Sequence, residues 1–199
     1  MSEPPPISLL DGLATTRAIR RYTDDPVPDD DLASILWHAG RAPSGSNRQP
    51  FRFLVLRDGE RAITAKRLLG DAFRAGWNSK RQADGYRPSR FADSMQRYVD
   101  RFEQTPVVIL VCLVRYRDPS PYEGASVYPA CQNLLLAARA LGYGGVLREP
   151  DHPHPRGRAG DQGAQRLAAA GAAVPYRRRC ARGQPAEARR GGHSVARLI

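Results

Sequence analysis

The chain has 199 residues, 41% hydrophobic and 26% charged, which fits one soluble domain with its own core. No stretch of about 18 apolar residues exists to span a membrane as a helix, and the opening Met-Ser-Glu-Pro-Pro-Pro lacks the basic-then-apolar pattern of a secretory leader. The net charge of +11 invites a nucleic-acid reading, yet residues 148–199 hold 11 Arg against 4 acids and residues 1–147 hold 20 basic against 16 acidic residues, so the body carries only +4.

From the N-terminus, the apolar-polar mixture of residues 7–16 predicts a short helix. Thr16-Arg17-Ala18-Ile19-Arg20-Arg21-Tyr22 follows. Arg17 and Arg20 are three apart. On a helical turn they share a face and make a seat for phosphate or carboxylate; on a strand they point opposite ways. A solvated basic face is the plain alternative. Asp29-Asp30-Asp31 can cap and start the next helix, which runs through Leu32, Ile35, Leu36 and Ala39 at helical spacing. His38, beside Trp37, reads as a surface or core histidine rather than a ligand.

Arg41-Ala-Pro-Ser-Gly-Ser-Asn-Arg-Gln-Pro-Phe-Arg-Phe53 is the most informative stretch. Small side chains leave backbone N–H groups open to a flat, polar-edged or phosphate-bearing ligand. Asn47 and Gln49 add amides that donate and accept. Pro50 closes the loop, and residues 51–56 are strand-like. An ordinary turn before a strand is the competing reading.

Helices are predicted over 59–75 and 90–103. Residues 106–114 form a continuous apolar run, the mark of a strand buried on both faces. The Leu/Ala filling of 125–141 predicts a nearly buried helix that Gly142 stops, with a further strand from Tyr143 to Leu147. Gln132 and Asn133 can cap or bond locally, and Gly142, Gly144 and Gly145 permit tight turns or a close ligand. Cys112 and Cys131 lie in apolar surroundings and read as core fillers. With Cys180 they are odd in number and not in a metal spacing, which points to reduced thiols in a cytoplasm.

After Leu147 the texture changes. Residues 148–199 contain 11 Arg, 11 Ala, 7 Gly and 5 Pro, and no helical or strand period persists. Residues 161–173 could form one Ala-rich helix. A basic arm and a solvated extension are two explanations. The favoured one is a reading frame lost near residue 148, because a GC-rich gene read out of frame yields this mixture and the body already uses 18 Arg against 2 Lys. His152 and His154 are a poor metal pair with prolines on both sides. No Ser-His-Asp arrangement, phosphate-cradling lysine loop or zinc spacing is present.

Three motifs in order resemble the nitroreductase family of flavin-dependent oxidoreductases across about residues 10–147: TTRAIRRYTDDPVPDDDLASIL, RAPSGSNRQPFRFLVL and GASVYPACQNLLLAARALGYGGVL. The resemblance implies an α+β fold, an α-β-α sandwich around a mixed central sheet, with residues 148–199 incomplete or disordered. It implies FMN held by Arg17, Ala18 and Arg20 at the phosphate and ribityl end. Pro43, Ser44, Gly45, Ser46, Asn47 and Gln49 would line the ring and ribityl chain. Ala18 stands where Ser is common and Phe51 where Trp is common. A variable lid would run from about Ala72 to Tyr98, with Trp77, Tyr86, Phe91 and Tyr98 as its aromatic candidates. Later flavin contacts would come from the loop after the strand at Tyr143 and from a basic residue near the C-terminus.

The implied activity is ping-pong transfer of electrons from NADH or NADPH to a small-molecule acceptor such as a nitroaromatic, a quinone, a free flavin or a halogenated compound. No catalytic side chain and no metal are expected. An intact C-terminus would make the chain a homodimer, in the cytoplasm and without membrane or nucleic-acid partners. The alternatives are a flavin-binding module without turnover and a basic nucleic-acid-binding protein.

Overall fold

The computed structural model describes residues 7–116, 118 and 122–148, and the backbone of Leu167–Pro175. Its centre is β2 (Val108–Leu113), the continuous apolar run of the sequence. Successive side chains of a strand face opposite ways. Ile109 and Val111 enter one core, with Leu32, Ile35 and Ala39 of α2 (Asp29–Ala39) and Ala130, Cys131, Leu134 and Ala138 of α5 (Tyr128–Ala140). Val108 and Leu110 enter the other. Phe73 and Trp77 of α3 (Glu60–Gln82) and Met95, Tyr98 and Val99 of α4 (Arg90–Asp100) meet them there. Both faces are covered, which is why the run never alternates with polar residues. The result is the expected α-β-α sandwich.

The sheet order is β1-β2-β4-β3, with β1 at Phe51–Leu56, β3 at Tyr143–Arg148 and β4 at Leu167–Pro175. All three ladders are antiparallel, and a parallel bridge between Ala18 and Gly145 makes the sheet mixed. β4 differs from the sequence reading, which allowed only a helix over 161–173. It lies between β2 and β3 and pairs with both. Two strands with unsatisfied inner edges select for backbone pairing whatever the intrinsic preference of alanine, so position in the sheet outweighs propensity here.

Other boundaries shift slightly. α1 spans Leu9–Thr15, capped by the Ser8 hydroxyl. The N-cap of α2 is Pro28, without a side-chain bond, so Asp29, Asp30 and Asp31 act through charge in the first turn instead of as caps. α3 runs on to Gln82. α4 stops at Asp100 and a 3₁₀ turn over Phe102–Gln104 follows. Another 3₁₀ turn, Glu123–Ser126, precedes α5. No helix among the described residues is long and apolar enough to cross a membrane.

One buried charge ties the second helical layer to the sheet. Lys66 of α3 is only 4% exposed, and its Nζ donates to the carbonyls of Thr105 at 2.8 Å and Pro106 at 3.1 Å, just before β2. Burial lowers its pKa, and Asp58 pulls the other way. Truncation leaves two carbonyls short of a donor. Lys66→Ala is expected to cost about 2–3 kcal/mol, the scale of losing bonds to a charged donor, read as a fall in the urea midpoint at unchanged slope.

Candidate functional site

The arginine segment is extended rather than helical. After α1 the chain straightens, Ala18 bridges Gly145, and the Ile19 N–H donates to the Gly145 carbonyl at 3.0 Å. Gly144 makes this approach possible: a Cβ there would lie 2.8 Å from Ile19 Cγ1 and 2.9 Å from Ile19 Cβ. In extended backbone, residues three apart face opposite sides. Arg17 and Arg20 therefore line different cavities, so the shared helical face does not form.

Arg17 stands at a cavity of 280 Å³ between the end of α1, the last turn of α5 and the start of β3. Its Nη1 donates to the carbonyls of Ala14 at 2.9 Å and Thr16 at 2.7 Å. The other described lining residues are Thr15, Thr16, Ile19, Leu135, Arg139, Gly142, Tyr143, Gly144 and Gly145, and no carboxylate is among them. Gly142, at φ 87°, takes the left-handed turn that sends the chain from α5 into β3. Tyr143 donates its hydroxyl to Asp31 of α2, and burial, reinforced by that carboxylate, raises its pKa.

Arg20 faces a larger cavity of 590 Å³, shared with Arg97, Tyr98 and Arg101 and with the acids Asp24 and Asp100. Its guanidinium sits 5.2 Å from the ring centre of Phe91. Of the proposed lid aromatics, Trp77 and Tyr98 are core residues and Tyr86 is half-buried, whereas Phe91 is 58% exposed. Burial pushes the Tyr98 hydroxyl up to about 12, against the opposing pull of Arg148 and Arg20.

The loop before β1 is held in unusual backbone. Ser46, Asn47 and Gln49 all have positive φ, at 53°, 50° and 46°. For residues other than glycine this costs about 1 kcal/mol or more each, and such strain collects at ligand sites. Ser44 and Gln49 fasten the loop: Gln49 N–H donates to Ser44 Oγ at 2.7 Å, and Gln49 Nε2 donates to the Gly40 carbonyl at 3.3 Å. Gly45 N–H donates to Ser126 Oγ at 3.4 Å, tying the loop to the turn before α5. Pro43, Gly45, Ser46 and Asn47 are exposed. None of residues 43–49 lines the cavity of Arg17 or that of Arg20.

Gln132 is exposed on α5, and Asn133 Nδ2 donates to the His38 carbonyl at 3.3 Å, a structural contact between α5 and α2. His38 is exposed, with Nδ1 2.8 Å from the Ser34 carbonyl. Cys131 is fully buried and burial lifts its thiol to about 11, as suits a core filler. No group of His, Cys, Asp or Glu able to hold a metal ion occurs among the described residues. The flavin contacts expected after β3 and near the C-terminus, together with His152, His154 and Arg177, Arg178 and Arg179, lie outside the described residues. Phe91, expected as a lid aromatic, stacks with Arg20, and the sequence reading passed over one residue that the fold brings to the Arg17 cavity, Arg139. The signal for Arg139 was its place three residues before the helix-stopping Gly142.

The sequence pattern of the Nitroreductase family matches residues 13–150. A relative named NADH dehydrogenase/NAD(P)H nitroreductase from Archaeoglobus fulgidus is 31% identical over 134 residues, 66% of this chain and 62% of the relative, so less than two thirds of that protein is matched. An iodotyrosine deiodinase from Thermotoga neapolitana is 29% identical over 145 residues, 71% of this chain and 74% of the relative. Among solved structures, that of oxidized iodotyrosine deiodinase bound to FMN and 3-iodo-L-tyrosine superposes with a TM-score of 0.63 at 21% identity, covering 96% of this chain and all of that one. The arginine segment, the Ser/Asn loop and the turn from α5 into β3 all fall inside the matched stretch, and the chain belongs to the nitroreductase family.

Proposed function

We propose that the chain is an FMN-dependent oxidoreductase that passes electrons from NADH or NADPH to small acceptors, nitroaromatics, quinones or related compounds. The observation that carries this reading is the cavity at Arg17, with no acid among its described lining residues. At 280 Å³ it is below the roughly 300–1,000 Å³ of sites that enclose a whole drug-sized ligand. It suits one end of FMN, the phosphate, with Arg17 as a charge-assisted donor. Arg20 lies beyond the bridge at Ala18, so the cofactor would lie along the segment rather than against one face of it. Stacking on Phe91 presets Arg20 to meet the ribityl chain or the pyrimidine edge.

The chemistry FMN supplies is hydride acceptance from the nicotinamide and delivery of electrons to the acceptor. The chain's own part is to bind, orient and stabilise charge. A cation near the pyrimidine edge, the role given to Arg20, favours the reduced, anionic ring. Ser46 and Asn47 would meet the ring from the exposed loop. That loop and Arg17 do not share a cavity in one chain, so we assign the complete site to a homodimer in which the loop of one copy meets the arginine segment of the other.

Purified chain should be yellow, its flavin bands should bleach with NADH or NADPH, and a nitroaromatic or quinone should restore them. The iodotyrosine deiodinase relative, and the 3-iodo-L-tyrosine bound in the deiodinase structure, make that compound the third acceptor to test. Bands that never bleach would indicate a flavin-binding module. A colourless protein that rejects FMN and binds DNA with a steep salt dependence would overturn the proposal.

A further inference from the structure

We infer that Arg139 is a second phosphate-binding residue for the flavin nucleotide, closing on the anion from α5 opposite Arg17. The inference rests on the reading of this cavity as the phosphate seat. A basic residue in the last turn of a helix ordinarily serves the helix itself, meeting the final carbonyls or the negative end of the dipole. Arg139 does not: among the described residues its one hydrogen bond reaches across to Thr15 Oγ1 on α1, at a long 3.5 Å. Thr15 donates its own proton to the Asp11 carbonyl, so Arg139 meets only a neutral oxygen. A guanidinium carries five N–H donors, and most of those on Arg139 remain unused among the described residues.

Arg17 is in the same position, with donors spent on two backbone carbonyls and no carboxylate partner among the described residues. Two arginines thus line one cavity whose described lining holds no acid. Like charges brought to one cavity repel, and the apolar side chains of Ile19 and Leu135 in its wall offer neither of them a partner. A doubly charged group between the two forks turns the repulsion into two charge-assisted contacts. A phosphate monoester presents enough oxygens to serve forks arriving from two directions. Arg139 is held for this role by α5, whose buried Leu134 and Ala138 fix the helix against the sheet.

The test is titration of FMN and of riboflavin into the full chain freed of flavin, followed by quenching of flavin fluorescence, with melting temperatures recorded for every variant. The wild-type chain should prefer FMN. Arg139→Gln should weaken FMN about tenfold, the scale of one charge-assisted partner, while the riboflavin affinity stays unchanged and Arg139→Lys recovers part of the loss. Inorganic phosphate should compete with FMN on the wild type and less on Arg139→Gln. Equal weakening of both flavins would make Arg139 merely structural and overturn the inference. So would unchanged FMN affinity in Arg139→Gln where Arg17→Gln lowers it, although the phosphate seat would then stand. A wild-type chain with no preference for FMN over riboflavin overturns the phosphate seat and the inference with it.

Discussion

Gly144→Val is expected to release the arginine segment from the sheet and to lower FMN affinity about 10- to 100-fold, equivalent to about 1.4–2.8 kcal/mol. The cause is steric. A Cβ at Gly144 would stand 2.8 Å from Ile19 Cγ1 and 2.9 Å from both Ile19 Cβ and Cγ2. Rotation of the Ile19 side chain relieves only part of this, because Cβ moves with the backbone. The main chain of Ile19 must withdraw, and its 3.0 Å bond to the Gly145 carbonyl is lost with it. Arg17 and Arg20 flank that bond and lose their placement together. Valine itself favours strands, and the cores on both faces of the sheet do not involve Gly144. The loss of stability should therefore stay near the 1–3 kcal/mol typical of overpacking. A melting curve with a modest shift, beside a flavin titration with a large one, is the expected pair of results. Retention of FMN at wild-type affinity would show that the bridge at Ala18 does not position the site.

The division between what the sequence shows and what it hides follows from the range of the interactions. β2 was readable because burial on both faces leaves an unbroken apolar run, and α5 because Leu and Ala recur along it. The loop at residues 43–49 was readable as small and polar, but its three positive φ values were not, since only Asn47 belongs to a residue type that often adopts them. The separation of Arg17 from Arg20 turned on whether the segment was helical or extended. A single long-range bridge to Gly145 decides that, and no local pattern announces it. β4 was hidden for a related reason: its place is set by the two strands beside it, and its own alanines carry no alternation. Arg139 became visible only once α1 and α5 were packed together, 124 residues apart in sequence at the Thr15 contact.

Replacing Leu9, Leu10 and Leu13 by serine is expected to turn a dimer into a monomer and to empty it of FMN. α1 is seven residues long, and its one buried residue is Gly12. The three leucines are 71%, 75% and 49% exposed in the single chain. An isolated helix so short is unstable in water, and three outward leucines give it reason to persist only when something covers them. The proposed second copy does so. Fully burying a leucine is worth about 1.5–3 kcal/mol. Even a quarter of that over the six leucines of two copies amounts to roughly 2–4 kcal/mol, or about 30- to 1,000-fold in the dimer dissociation constant. Sedimentation equilibrium on wild type and triple variant reads this directly, since both chains retain the cores that involve none of the three. Flavin content should fall in parallel, because residues 43–49 and Arg17 line no common cavity in one chain. A monomeric variant that keeps FMN at wild-type affinity would place the whole site within a single chain. A wild-type chain that is itself monomeric while yellow would do the same, and the loop would then need a partner from its own fold.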